Sequence, residues 1–119
     1  MPEGEYTVPL GEARLAREGT DVTLVAYGSM VPLCEQAADA LAGEASIEVL
    51  DLRTLKPLDE DALLASAAKT GRVVIVQEAP RTAGFGAELA AILAEKAILD
   101  LRGPVIRVTG YDVPYPYWQ

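Results

Sequence analysis

Two apolar rhythms run through this chain: short, nearly continuous runs of β-branched and aliphatic residues, and longer stretches in which apolar positions recur every three or four residues. The first rhythm marks strands buried on both faces and the second marks helices with one covered side. Residues 13–17 and 21–27 are β-prone and flank Glu18-Gly19-Thr20, a spacing that predicts a hairpin with Gly19 in its turn and the first stretch as an antiparallel edge strand. Val22-Thr23-Leu24-Val25-Ala26 reads as a central strand. Gly28-Ser29 interrupts it, with Ser29 as the expected cap of a helix whose first turn tolerates Pro32, because an N–H there has no partner to lose. Met30, Cys34, Ala37, Ala38 and Leu41 give that helix an apolar face, and Gly43 ends it.

The alternation then repeats. Residues 47–51 predict a second buried strand, followed by the connector Arg53-Thr54-Leu55-Lys56-Pro57-Leu58 and a helix capped by Asp59. Glu60 and Asp61 complement the dipole in its first turn, and Lys69 and Gly71 close it. Val73-Val74-Ile75-Val76 centres a third parallel strand over residues 72–77. A turn-rich loop, Glu78 to Gly84, leads to a helix over 85–98 with Leu89, Ile92, Leu93 and Lys96 along one side. Val105-Ile106-Arg107-Val108 is the last expected strand, and residues 109–119 form a tail rich in Pro and Tyr. Strand–helix alternation with right-handed crossovers implies an α/β fold: three layers, α/β/α, around a mostly parallel sheet of about five strands with one antiparallel edge strand.

A chain of 119 residues, 50% hydrophobic, fills one core and not two, so residues 1–119 read as one domain. The formal net charge of −8 repels phosphate backbones and anionic lipid surfaces, which argues against nucleic acid and membranes as partners. A single cysteine permits no intrachain disulfide, and the absence of histidine removes the commonest general base and metal ligand. No catalytic, cofactor-binding or metal-ligating residue is therefore assigned. No apolar run approaches the roughly 20 residues of a spanning helix, and Met1-Pro2-Glu3-Gly4-Glu5 has neither the basic nor the apolar region of a signal peptide.

Ligands of such sheets bind beyond the carboxyl ends of the strands, which singles out Gly28-Ser29, 51–53 and 78–84. Gly28-Ser29 is an anion-binding helix entrance or a tight turn, and Asp51 a ribose-binding acid or the cap of the Arg53 turn. Gly84-Phe85-Gly86 is a phosphate loop or a site of close backbone packing. Glu78, near Arg81, is the candidate for a perturbed carboxylate or a structural ion pair. Cys34, on an apolar helix face, reads as core. Tyr111, Pro114, Tyr115, Pro116, Tyr117 and Trp118 have the composition of an interface hot spot or of a segment covered by further chain.

Several motifs together resemble one family. Tyr6-Thr7-Val8-Pro9-Leu10-Gly11, Tyr27-Gly28-Ser29-Met30, Asp51-Leu52-Arg53-Thr54-Leu55-Lys56-Pro57-Leu58-Asp59, Glu78-Ala79-Pro80-Arg81, Gly84-Phe85-Gly86-Ala87-Glu88 and Arg107-Val108-Thr109-Gly110 are similar to the C-terminal, transketolase-like domain of E1 β subunits of pyruvate and branched-chain 2-oxo acid dehydrogenase complexes. The resemblance implies a parent enzyme using thiamin diphosphate and Mg2+, a cytoplasmic bacterial protein or one of a mitochondrial or plastid matrix, in which this domain binds no cofactor. It implies contacts with a second E1 β subunit, the E1 α subunit and the E2 subunit-binding domain. Interface candidates are Glu78, Arg81, Phe85, Asp100, Arg102, Tyr115, Tyr117 and Trp118. Against that family's pattern the chain reads as a fragment without the upstream thiamin-diphosphate domain and the final helix. The alternatives are the C-terminal domain of another transketolase-like enzyme and a free-standing nucleotide- or anion-binding module.

Overall fold

The computed structural model describes residues 9–112; Tyr115, Tyr117 and Trp118 lie outside them. The chain runs β1 (Arg14–Arg17), β2 (Val22–Ala26), α1 (Met30–Ala40), β3 (Ile47–Asp51), α2 (Glu60–Thr70), β4 (Val73–Pro80), α3 (Phe85–Lys96) and β5 (Ile106–Gly110). One five-stranded sheet has the order β1-β3-β2-β4-β5, with β2 central as its apolar run requires. β2, β3, β4 and β5 are parallel, and β1 is antiparallel on β3. The expected fold class is thereby observed.

The predicted hairpin is not. β3 lies between β1 and β2, because the segment joining them crosses over the start of β3 instead of turning beside it. Thr20 N donates to Ser46 Oγ at 3.0 Å, Asp21 N to Ser46 O at 2.8 Å, and Ser46 N returns a bond to Asp21 Oδ2 at 2.7 Å. These bonds hold the crossing segment on the entrance to β3.

Parallel pairing puts partnered residues on the same face, and the two faces have separate cores. Val25, Leu50, Leu52, Val73 and Ile75 pack against Leu63 and Ala67 of α2 and Leu89, Ile92 and Leu93 of α3. Ala26, Ile47 and Val49 pack against Val31, Cys34 and Ala38 of α1. Right-handed crossovers require this partition, since α1 moves the chain one way along the sheet and α2 and α3 move it back. Each fully covered Leu or Ile contributes about 2 kcal/mol.

Element boundaries differ where local geometry overrides pattern. Ser29 precedes α1, but its side chain makes no cap bond and donates to Glu78 Oε2 at 2.9 Å. α1 stops at Ala40, before Gly43, and buries Val31, Cys34 and Ala38, while Ala37 and Leu41 face out. β4 continues through Glu78, Ala79 and Pro80, which the sequence placed in a loop, because β5 pairs with it as far as Pro80. α3 ends at Lys96, which is exposed and paired with Glu60 of α2 at 3.2 Å instead of facing the core.

The connector before α2 shows why its residue types are fixed. Asp51 Oδ1 accepts from Arg53 N at 3.1 Å, holding Arg53 at φ 59. Leu52 is fully buried, and Thr54 Oγ1 accepts from Gly11 N at 3.0 Å while donating to Pro57 O at 2.8 Å. Asp59 caps α2 through Ala62 N at 3.0 Å, and its second oxygen accepts from Ala13 N at 2.9 Å. Asp59→Ala removes a cap and a tertiary tie together, so a loss of about 2 kcal/mol is expected in urea unfolding. A loss under about 0.5 kcal/mol would show that water replaces both bonds.

Candidate functional site

In this topology the crossovers diverge between β2 and β4, so the crevice beyond their carboxyl ends is where a ligand is expected. Gly28 leaves β2 at φ +63 and Tyr27 meets Phe85 edge-to-face, ring centroids 6.3 Å apart. The Ser29–Glu78 hydrogen bond spans the gap from β2 to β4. Glu78 is exposed and bonded to Ser29, and no Glu78–Arg81 ion pair within 4 Å occurs among the described residues, so the expected local pair is replaced by a bond across the sheet. Burial raises the Tyr27 hydroxyl above its ordinary value.

The phosphate-loop reading of Gly84-Phe85-Gly86 gives way to close packing. Gln77 is buried beneath the turn, its Oε1 accepting from Gly86 N at 2.5 Å and its Nε2 donating to Pro80 O at 3.0 Å. A Cβ on Gly86 would lie 2.6 Å from Gln77 Oε1, and one on Gly84 would overlap Pro80 O and Gln77 Nε2. These glycines thus admit a buried amide and not a ligand. Asp51 caps the Arg53 turn and lies 3.6 Å from Arg14, which leaves the ribose-acid reading without support. Cys34 is 3% exposed, and burial raises its thiol, with Glu35 adding to the shift. It is a core residue.

The carboxylate that is buried is Glu48 of β3, which sequence reasoning missed. It is 2% exposed; Oε1 accepts from Lys69 Nζ at 2.7 Å and Gly19 N at 3.3 Å, and Oε2 accepts a short bond from Ser66 Oγ. Thr23 Oγ1 extends the network to Ser66 Oγ at 2.9 Å and Thr70 Oγ1 at 2.8 Å. Burial raises the Glu48 carboxyl, but the bonds from Lys69, Ser66 and Gly19 outweigh it and hold the group below its ordinary 4.5. The only signal in the sequence was a charge inside Ile47-Glu48-Val49-Leu50, with Ser66 and Lys69 about one helical turn apart on the next element. A cavity of about 260 Å³ opens beside this network, but every buried polar side-chain atom among the described residues has a partner, so the network reads as a tie and not a reaction centre.

The interface candidates fall at opposite ends of the sheet. Glu78, Arg81 and Phe85 stand at the carboxyl end of β4. Arg102 lies at the other end, its N donating to Gly71 O at 2.7 Å and its side chain covering Gly71, with exposed Asp100 close by in the same loop. A further surface was not anticipated. Val74 pairs with Ile106 and Val76 with Val108, which puts Ile106 and Val108 on the α1 face, yet α1 does not reach them and they are 55% and 52% exposed. Leu33 of α1 is 51% exposed. Among the described residues one helix covers that face, against two on the other, and the β5 side is bare.

Comparison with known proteins places the chain. The family described as "Transketolase, C-terminal domain" matches residues 11–119. The β subunit of the pyruvate dehydrogenase E1 component from Staphylococcus epidermidis is 51% identical over 120 aligned positions, covering 100% of this chain and 37% of the relative. The Staphylococcus aureus counterpart is 48% identical with the same coverage. A solved structure titled "Split gene transketolase, inactive beta4 tetramer" superposes with a TM-score of 0.81 at 34% identity, over 92% of this chain and 35% of that one. The chain thus spans little more than a third of the length of the curated relatives it matches.

Proposed function

The chain belongs to the transketolase C-terminal domain family, and from that membership we propose that it is the C-terminal assembly domain of an E1 β subunit in a 2-oxo acid dehydrogenase complex. The parent enzyme would decarboxylate pyruvate, or a branched-chain 2-oxo acid, and pass the acyl group to a lipoyl group on E2. The match of the whole of this chain to part of pyruvate dehydrogenase E1 β subunits carries this reading and favours pyruvate. In a bacterium that enzyme would work in the cytoplasm.

The domain's share of the work is contact. The exposed apolar side chains of Ile106 and Val108, uncovered among the described residues, support the reading that further chain or another subunit covers this face in the parent, as the short coverage of the relatives also suggests. A second β subunit, the α subunit and the E2 subunit-binding domain are the proposed partners, with the net charge of −8 suited to a basic E2 domain. Glu78, Arg81, Phe85, Asp100, Arg102, Tyr115, Tyr117 and Trp118 remain the proposed interface residues.

Thiamin diphosphate with Mg2+ would belong to the parent, and the described residues do not fit it. A Mg2+–diphosphate group needs converging oxygen ligands. Here Asp51 is turned to Arg53, Glu78 to Ser29 and Asp112 to Thr82, and among the described residues no three carboxylate or thiol side chains converge. No step of the parent reaction is therefore assigned to a residue of this chain. The test is reconstitution. Mixed with E1 α subunit, thiamin diphosphate and Mg2+, the 119-residue chain is expected to give no decarboxylation of pyruvate, while restoring the remainder of the β subunit as one chain gives activity. Turnover by the 119-residue chain with α alone would end this proposal.

A further inference from the structure

A cleft running beside β5 is lined by Arg107, Val108, Thr109, Tyr111 and Asp112, with Arg81 from just past β4, around about 490 Å³. Two guanidinium groups are held there by a reciprocal clasp. Arg81 Nη1 donates to Arg107 O at 3.2 Å, and Arg107 Nη1 donates to Arg81 O at 3.1 Å. Each guanidinium carries five N–H donors, so the clasp fixes the groups while leaving most donors for another acceptor. Neither makes an ion pair within 4 Å among the described residues.

Asp112 is the carboxylate in the cleft lining, and both its oxygens are engaged: Oδ1 accepts from Thr82 N at 2.8 Å and Oδ2 from Thr82 Oγ1 at 2.5 Å. It offsets one of the two positive charges and leaves the cleft locally positive in a chain whose formal charge is −8. Keeping two cations in one cleft costs Coulomb energy, which an anion between them would reverse.

We propose that this cleft binds the phosphoryl group of a small metabolite, with Arg81 and Arg107 as paired donors. A phosphoryl group offers three oxygens and up to two negative charges, enough to meet two forks from opposite walls. A monocarboxylate offers two oxygens and one charge, and satisfies one fork. Tyr111, 87% exposed, stands at the rim of the cleft. The site lies at the β5 edge of the sheet, one strand out from the β2–β4 crevice, and is separate from the packed Gly84–Gly86 turn. The inference shares Arg81 with the proposed interface, but its test reads phosphate binding to this chain alone and does not depend on the assembly role.

The test titrates the isotope-labelled 119-residue chain with inorganic phosphate at constant ionic strength, following amide and arginine side-chain resonances. Saturable shifts confined to residues 81–82 and 107–112, with Kd of order 1 mM, are expected. Glycerol phosphate distinguishes the source: tighter binding than phosphate means a monoester, equal binding means the free ion. Arg81→Lys and Arg107→Lys keep the charge but lose the fork, and each is expected to weaken binding about tenfold. No saturable shift by about 20 mM phosphate overturns the proposal, as do shifts that chloride reproduces or lysine variants that bind like the parent. In each of those outcomes the clasp is only a brace between β4 and β5.

Discussion

Gly19→Ala is expected to lower the melting temperature of the 119-residue chain by about 12 °C or more, the largest effect of any single methyl group added to it. A Cβ built on Gly19 would overlap the carbonyl carbon and oxygen of Ile47 and the amide nitrogen of Glu48. Those are backbone atoms of β3, held in the ladder to β2 while β1 pairs with the strand from Val49 onward, so they cannot turn aside as a side chain would. Relief requires β1 to lift from the sheet, which strips the amide of Gly19 from Glu48 and exposes the crossing segment. Overpacking of a closed core costs about 1–3 kcal/mol, and against fixed backbone the upper end or more applies. Gly43→Ala is the control, because nothing lies within 4 Å of its Cβ position and its φ is not in the left-handed range. If the two variants melt together, the approach of Gly19 to β3 is not the constraint it is argued to be.

That glycine also shows where sequence reading ran out. Its spacing between two β-prone stretches matched a hairpin turn, and locally nothing contradicted this. Strand order is decided by long-range pairing, and β3, which displaces β1 from β2, comes 30 residues later as a run with no mark of its neighbours. Features set by short-range physics were legible: the buried runs of β2, β3 and β4, the Asp59 cap and αL Gly71 of α2, and Cys34 as core. The antiparallel edge was also legible, though not its partner.

The site residues divide along the same line. Asp51, Thr54 and Asp59 belong to the most distinctive motif, and its distinctiveness has a physical cause, since each ties the connector or the N-terminal segment to a backbone group. Gln77 and Glu48 were invisible because a polar residue within an apolar strand declares itself only when its partners on another element are known. Tyr115, Tyr117 and Trp118 fall outside the described residues.

Glu48→Ala is the second large effect expected, a loss of about 3 kcal/mol at neutral pH. Ser66 Oγ and Gly19 N–H would lose their acceptor, Lys69 its partner, and the covered wall between β3 and α2 would gain a void. Glu48→Gln keeps the volume but turns an NH2 toward groups that are themselves donors, so a loss of about 2 kcal/mol is expected. The pH dependence identifies the charge as the cause. Because the folded carboxyl titrates below its ordinary 4.5, its contribution is complete above that value and disappears as pH falls through the folded pKa. Lys69 is raised above its ordinary 10.5 by the bond to Glu48, so its part is complete below that value and is lost only as pH rises through the raised one. Between these limits the network holds at full strength. Urea unfolding of the parent chain and Glu48→Gln is therefore expected to show a constant gap from neutral pH down to about 5, then a narrowing one below the carboxyl's ordinary range. A gap that persists unchanged to about pH 3 would mean that packing, and not the ionised carboxylate, fastens α2 to the sheet.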